Sequence, residues 1–430
     1  AMNVKKNNLE KSEIELVVSI DWKDWSSFID QSLEEIGKEV KIEGFRPGKA
    51  PKDMIEQKVG KDFILNDAAQ KAIHKTYPEI LAKEKIDAIG QPKVEILKIA
   101  EGNPLEYKVE TTVMPEITLS PWRAAVKKVN KENSTETVEV DEKDVDAELE
   151  KIAQSRAELV KVDRVAKDGD SIEIDFDASQ DNVPIENGSS KNHNLVLGSG
   201  SFIPGFEEQL LGTKAGDEKE FELTFPKEYH AKHLAGKPTT FKVKVNAVQE
   251  RKVPKIDDEL AKSLGKFENL KALKDVIIKG MTEEKNQKLN EKKRSDIVEE
   301  IVKLTEVEIP QMLLDEEISK MSQEFESQIQ GMGMQMDQYL EQIKKTKEDL
   351  MKDWAPQAEK RIKSALALEE IVKTEEINVD AKDVEDEMNK TMQMYKDVKD
   401  AKKNIDMARL YNYTKGMLQN AKVFEMLEKL

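Results

Sequence analysis

Apolar positions recur along this chain with two different periods, and the changes of period divide it into blocks. Ile14, Leu16, Val18 and Ile20 alternate, as a half-buried strand requires. Asp21 then offers an N-cap with Asp24 three residues on, and Trp25, Phe28, Ile29, Leu33 and Ile36 recur at helical spacing. After an interruption at residues 44–52, Pro51 suits the first position of a short helix through Val59 and Gly60. A longer helix is expected from about Asp62 to Lys85. Val94 and Ile96, then Leu105, Tyr107, Val109 and Thr111, read as closing strands. Residues 1–115 therefore predict an α+β module with a loop projecting between two helices.

Residues 116–150 form a Lys/Glu-rich arm. A helix over 142–157, with Val145, Leu149 and Ile152 on one face, makes it a connector that packs with the C-terminal block. Period two returns in residues 151–248, at Ile172, Ile174 and Phe176, at Phe221, Leu223 and Phe225, and at Phe241, Val243 and Val245. Between them lies one short helix over Ile203–Gly212, opened by Pro204 and ended by Gly212. From residue 249 to 430 the pattern is helical, at Ile297, Val298, Ile301 and Val302, at Leu366, Leu368, Ile371 and Val372, and at Leu418, Ala421, Phe424 and Leu427. Pro310 opens a methionine-rich helix. The charge on these helices is too dense to bury every side, which predicts extended arms instead of a compact bundle.

Composition narrows the function classes. A chain of 430 residues suits about three domains. Charged residues are 36% and aromatics 5%, and the mean hydropathy is −0.66. A net charge of −17 disfavours wrapping nucleic acid over a broad surface. It leaves room for a local basic tip, since screening confines fields to about 8–10 Å. Cysteine is absent, which excludes disulfides, zinc thiolates and thiol nucleophiles. No run of 18 apolar residues occurs and the start lacks the apolar stretch of a signal peptide, so the expected location is the cytoplasm.

The interruption at Gly44-Phe45-Arg46-Pro47-Gly48-Lys49-Ala50-Pro51-Lys52 carries the most chemistry. Its glycines and prolines impose a fixed turn. Arg46, Lys49 and Lys52 bring positive charge with no acid among them, and Phe45 adds a ring. Such a tip suits docking on phosphate and on protein together. Taken alone it reads first as a solvated turn between two helices. The segment resembles the ribosome-docking signature of the trigger factor family, bacterial chaperones that meet nascent chains at the exit tunnel. The resemblance implies that Gly44, Phe45, Arg46, Pro47, Gly48 and Lys49 bind the ribosome, at large-subunit protein and rRNA.

A second resemblance covers residues 151–248. Gly198-Ser199-Gly200-Ser201-Phe202-Ile203-Pro204-Gly205-Phe206-Glu207-Glu208 and Phe225-Pro226-Lys227-Glu228-Tyr229-His230-Ala231 are similar, in order and separation, to the pocket segments of FKBP-type prolyl isomerases. The reaction implied is rotation about an X-Pro bond, against a barrier of about 18–20 kcal/mol set by amide resonance. No nucleophile is needed, because an apolar, desolvated bowl favours the twisted amide. The resemblance puts Phe176, Phe202, Ile203, Phe206, Tyr229 and Phe241 in that bowl. Ile185 and His193 stand where the family is usually aromatic, which implies a shallower bowl and modest turnover. Glu186 falls at the position of a rim carboxylate, and Tyr229 is placed to donate to the substrate carbonyl.

Of the 16 methionines, all but Met2, Met54 and Met114 lie after residue 280. An unbranched, polarizable side chain adapts to many apolar partners, though single methionines are commonly core. Met332, Met334 and Met336 alternate beside Gly331 and Gly333, so they cannot share one core stripe, and they are the first candidates for a mobile client contact. Other chemistry is not written in the chain. His230 and His233 lack a third partner ligand, and neither a dinucleotide nor a P-loop fingerprint is complete. No metal, nucleotide or other cofactor is expected, and a chaperone of this kind releases clients through modest affinity and fast off-rates.

The fold class is thus multidomain α+β: a ribosome-binding module at 1–115, a linker arm at 116–150, an FKBP-like antiparallel sheet with one short helix at 151–248, and an all-α client-binding region at 249–430. The leading function is an ATP-independent, ribosome-docked chaperone and prolyl isomerase with nascent polypeptides as partners and no membrane. Monomer and homodimer stay open when it is free. The alternative is a free FKBP-type isomerase whose flanking helices only target or dimerise it.

Overall fold

The computed structural model describes residues 2–430. Two compact units emerge: one gathers residues 2–132, Arg294–Met332 and Lys347–Leu430, the other Asn133–Lys293 and Gly333–Thr346.

The first unit begins with an antiparallel sheet of β1 (Met2–Asn8), β2 (Glu13–Ile20), β3 (Ala88–Lys98) and β4 (Leu105–Val113), in the order β1-β2-β4-β3. The register sets Leu16 opposite Val109 and Val18 opposite Tyr107. Those side chains are buried, together with Ile14, Ile20 and Leu105, under α1 (Trp22–Glu39) and α3 (Lys61–Glu84). The alternation of β2 is thus the core face of the sheet. Strand β1 escapes a reading by periodicity because it is an edge rich in Lys and Asn, placed by backbone pairing to β2 and by half-buried Met2 and Val4. The short α2 (Lys52–Val59) uses Pro51 as its N-cap, one position earlier than expected. Pro78 is accommodated within α3 without ending it.

Beyond β5 (Thr118–Leu119), the arm contains a helix that its charge conceals, α4 (Arg123–Asn133). In the second unit follow α5 (Glu142–Ser155) and the strands β6 (Glu158–Lys161), β7 (Ser171–Gln180) and β8 (Val183–Val196). Along α5 the buried face is Val145, Leu149 and Ala153; Ile152 is only half-buried. Next come α6 (Phe206–Leu210), β9 (Glu218–Thr224), β10 (Pro238–Lys252) and α7 (Asp258–Leu264). Helix α6 is shorter than the expected Ile203–Gly212. Gly205 adopts a left-handed conformation as N-cap, so Pro204 precedes the helix without opening it. Strand β10 is central: it pairs antiparallel with β7 on one side and with β9 and then β6 on the other. Phe225 lies just past β9 instead of within it. Ile172, Ile174, Leu195, Val243 and Val245 form the sheet side of the core, and Phe206 and Leu210 of α6 fill the other.

Helix α8 (Leu270–Lys303) and β11 (Thr305–Glu306) lead to α9 (Gln311–Gly331), α10 (Met336–Ile343), α11 (Lys347–Thr374), α12 (Ala381–Met394), α13 (Ala401–Asn404) and α14 (Met407–Glu428). In the first unit Trp122, Val126 and Val129 are buried with Ile297, Ile301, Leu368, Ile371, Phe424 and Leu427. Val423 is buried there and Ala421 is exposed, because the stripe on α14 drifts by more than the expected spacing allows. Ion pairs rim this cluster, Arg294–Glu428 at 2.5 Å and Arg123–Glu375 at 2.5 Å. Among the described residues no helix is long and apolar enough to cross a membrane.

Candidate functional site

The 44–52 loop is built by backbone chemistry. Phe45 N–H donates to Ile42 O (3.2 Å), and Lys49 N–H donates to Arg46 O (2.9 Å). The latter closes a β-turn with Pro47 and Gly48 at its centre. Gly48 has φ +78° and Gly44 φ +85°, conformations that cost a side-chain-bearing residue about 1–2 kcal/mol. Gly48 N–H also donates to Gly37 O at 2.9 Å, tying the turn to the last part of α1. On either side, Ile42 and Ala50 pack against buried Leu33, Ile55 and Ile64. Three side chains of the tip are left outside: Phe45 is 41% exposed, and Arg46 and Lys49 are exposed with no ion-pair partner among the described residues. Lys52 departs from expectation. Its ammonium lies 2.5 Å from the Asp30 carboxylate, whose hydrogen bond raises the Lys52 pKa. Two free cations therefore occupy the tip instead of three.

In the second unit, five segments surround an apolar cavity of about 520 Å³. Strand β7 supplies Phe176 and Ala178, β8 supplies Ile185 and Glu186, residues 200–204 bring Phe202 and Ile203, and Phe225, Tyr229, Leu234 and Phe241 close it. The rings interlock. Phe202 lies edge-on to Phe176 at 5.4 Å between centroids and is stacked on Phe206 at 4.3 Å. Phe206 does not line the cavity. It is fully buried beneath the floor, edge-on to Phe241 at 5.2 Å and to Phe221 at 5.3 Å. Glu186 stands exposed on the rim. The Tyr229 hydroxyl has no hydrogen-bond partner among the described residues, and its ring lies 4.2 Å from that of His230. His193 fills the space beside Phe176 and Phe202 as an edge-on ring, at 5.8 and 5.4 Å.

Two acids that residue type alone does not mark brace this unit, the first of them at the cavity itself. The Glu207 carboxylate, in the first turn of α6, accepts from the N–H groups of Gly198 (3.2 Å), Gly200 (3.0 Å) and Ser201 (3.1 Å) and from Ser199 Oγ (3.1 Å). One side chain thus fixes the segment that leads into Phe202. The available signal was an acid placed shortly after a Gly-Ser-Gly-Ser run, where free backbone donors abound. Asp170 is buried and takes a bidentate pair from Arg164 (2.6 and 3.0 Å) and the Lys167 N–H (2.9 Å). The Arg164 hydrogen bond, partly opposed by burial, holds its carboxyl below the usual aspartate range. Leu234, Ala178 and His230 also line the cavity and were not foreseen, since each lies outside the aromatic pattern.

Chemically, a cavity of aromatic and aliphatic walls with one free hydroxyl and one rim carboxylate can enclose a proline ring and exclude water from its amide. It contains no nucleophile–base pair, and among the described residues no cluster of three or more His, Asp or Glu could hold a metal ion.

The methionine segment occupies a break between helices. Helix α9 ends at Gly331, Gly333 has φ +78°, and α10 starts at Met336. Met332 is 66% exposed, while Met334 and Met336 are half-buried. In the first unit a further set of large apolar side chains is exposed, Met394 (81%), Tyr395, Val398, Met407, Tyr413 and Met417.

Three stretches of the chain match known protein families. Residues 2–152 match the family described as bacterial trigger factor protein (TF), residues 162–246 match FKBP-type peptidyl-prolyl cis-trans isomerase, and residues 269–428 match the bacterial trigger factor protein (TF) C-terminus. The chain is 35% identical over 393 residues to the trigger factor of Caldicellulosiruptor saccharolyticus, covering 91% of this chain and 88% of the relative. It is 36% identical over 396 residues to that of Bacillus pumilus, covering 92% of each. A solved structure described under promiscuous substrate recognition by the trigger factor chaperone aligns over 99% of both chains, with a TM-score of 0.50 and 22% identity.

Proposed function

Since the chain belongs to the trigger factor family, we propose that its Phe45–Lys49 tip moors it to the ribosome while the Phe176–Phe202–Tyr229 cavity isomerises X-Pro bonds. The protein is a ribosome-associated chaperone carrying an FKBP-type prolyl isomerase domain. The alternative of a free isomerase with accessory helices is not favoured, because relatives match nine-tenths of the chain and not the isomerase block alone. One observation carries the docking assignment: the Phe45, Arg46 and Lys49 side chains are exposed on a turn whose shape is fixed by backbone bonds and by the packing of Ile42 and Ala50. Arg46 and Lys49 meet rRNA phosphate and Phe45 meets large-subunit protein near the exit tunnel.

At the cavity, Phe202, Ile203, Phe225 and Phe241 seat the proline ring. Desolvation there favours the twisted amide, whose dipole is reduced, and Tyr229 Oη donates to the substrate carbonyl. Phe206 acts from below, by stacking on Phe202. Glu186 faces the solvent side of the substrate. Nascent chains are shielded by the exposed methionine and tyrosine side chains of Met332 and of Met394–Met417, whose flexible apolar surface suits varied sequences. No nucleotide takes part, so release follows from modest affinity. Off the ribosome, a homodimer would cover the same apolar surface. The domains run 1–115 for docking, 116–150 as linker arm, 151–248 for isomerisation and 249–430 for clients, and the working location is the cytoplasm.

Co-sedimentation with ribosomes tests the docking half. The Phe45→Ala/Arg46→Ala/Lys49→Ala variant should remain in the supernatant, and pelleting equal to the unmodified chain overturns it. Turnover on a proline tetrapeptide tests the other half. It should fall at least tenfold in Phe202→Ala, by loss of roughly 1.4 kcal/mol or more of transition-state binding.

A further inference from the structure

The isomerase cavity does not end at its rim. A second cavity, of about 700 Å³, continues from it, and Glu186, Asn187, Tyr229, His230 and Leu234 line both. Its far wall is not part of the isomerase block. Met334, Gln338, Glu341 and Gln342, from α10 and the residues before it, supply that wall. Residues 333–346 belong to the same compact unit as the sheet, although more than eighty residues of chain separate them from β10. A direct bond joins the two walls: Lys232 Nζ donates to Glu341 O at 3.0 Å, one of the terminal carbonyls of α10. That carbonyl also accepts the Lys344 N–H at 3.3 Å, and a cation at a helix C-terminus is favoured by the dipole.

We propose that this second cavity is a groove for the polypeptide stretch flanking the proline, so that α10 extends the isomerase site from a dipeptide pocket to a peptide channel. This rests on the cavity being the isomerase site. The chemistry of the groove suits an extended main chain more than any compact ligand. Met334 offers an adaptable apolar face, and the Gln338 and Gln342 amides and the His233 ring offer donors and acceptors of the kind that backbone N–H and C=O groups use. Gln338 Oε1 already accepts the Gln335 N–H at 3.5 Å, which turns that side chain's NH2 group free for a carbonyl. The lining carries both signs of charge, Lys232 against Glu186 and Glu341, so it does not present the single-sign cluster that selects an ionic ligand. Continuity with the proline cavity decides the occupant, since a chain whose proline is seated must leave through one of the openings.

The test uses the full chain and two labelled peptides sharing one Leu-Pro core, a tetrapeptide and a dodecapeptide. The variant Met334→Ala/Gln338→Glu/Gln342→Ala keeps good helix formers in α10 and leaves an oxygen at position 338 to accept the Gln335 N–H. It should bind the dodecapeptide about fivefold more weakly, as loss of a few central contacts does, with tetrapeptide affinity unchanged. The single variant Met334→Leu should keep full affinity for the dodecapeptide. Unchanged dodecapeptide binding in the triple variant overturns the groove, and so does an equal loss for both peptides, which would place the effect in the proline cavity. Tetrapeptide turnover by the unmodified chain separates the two readings. If turnover is absent while the dodecapeptide still distinguishes the variants, the isomerase assignment fails and α10 lines a peptide groove with no link to isomerisation, which overturns the proposal as an extension of that site.

Discussion

The proposed docking tip and the proposed isomerase cavity put recognition and stability in different places. At the tip the two are separate. Phe45, Arg46 and Lys49 face solvent, while Gly44, Gly48, Ile42, Ala50 and the Gly48-to-Gly37 bond hold the shape. In the cavity they coincide, because Phe202 lines the site and also stacks on the buried Phe206, which touches Phe176, Phe221 and Phe241 in turn. A tip of this kind can lose its partner without losing its fold. A cavity of this kind cannot be emptied without loosening the core beneath it.

The largest effect should show this contrast directly. Phe206→Ala removes a fully buried ring and should destabilise the isomerase block by about 3–5 kcal/mol. The triple alanine variant of Phe45, Arg46 and Lys49 should stay within about 0.5 kcal/mol of the unmodified chain. Urea unfolding followed by a probe in each unit measures both. Equal sensitivity of the two would erase the distinction. It also means that activity lost in Phe206→Ala reports unfolding as much as chemistry, so Phe202 and Tyr229 are the better probes of the site.

Asp170 sharpens the same point at a group remote from substrate. Its carboxyl is held low first by the Arg164 hydrogen bond and further by the Lys167 N–H. A pKa lowered by folding stabilises above the unfolded value, and that contribution disappears as pH falls through the lowered folded value. Asp170→Asn should therefore cost about 1–2 kcal/mol near neutrality, discounted because Arg164 is partly in water. The gap to the unmodified chain should close in strong acid. A gap that widens with acid would reverse the sign and remove the ion pair as the cause.

Smaller effects separate chemistry from packing. Tyr229→Phe should lower kcat/KM by about fivefold, the worth of one hydrogen bond, with melting unchanged. At the tip, two cations predict a slope of about −2 for log affinity against log salt, and Lys52→Ala should leave that slope alone. A slope near −3 that falls on removing Lys52 would show that Asp30 releases it on docking.

How far these features could be read in the sequence follows from how locally each is encoded. The tip is nine consecutive residues whose glycines, prolines and cations each have one evident use, and only the Lys52–Asp30 pair, across more than twenty residues, lay beyond reach. The β2, β7 and β10 alternation was legible because one face of each is buried. Strand β1 was hidden, since its edge position is fixed by backbone bonds and its polar residues carry no period. Helix α4 was masked by its lysines, although Trp122, Val126 and Val129 form a stripe. In the cavity the aromatic set was visible and its layering was not: that Phe206 lies under Phe202, and that Glu207 clasps three backbone N–H groups, depends on the turn geometry at Gly198–Gly205. The wall formed by α10 is set by tertiary contact alone, and no local pattern announces it.

Co-sedimentation with ribosomes at fixed salt, run in parallel on Phe45→Ala/Arg46→Ala/Lys49→Ala and on Phe202→Ala, tests most directly the claim that docking and isomerisation reside in separate, independently breakable sites. The account predicts that the first variant stays in the supernatant with full tetrapeptide turnover, and that the second pellets normally with turnover lost. A tip variant that pellets like the unmodified chain, or a cavity variant that fails to pellet while still folded, would contradict it.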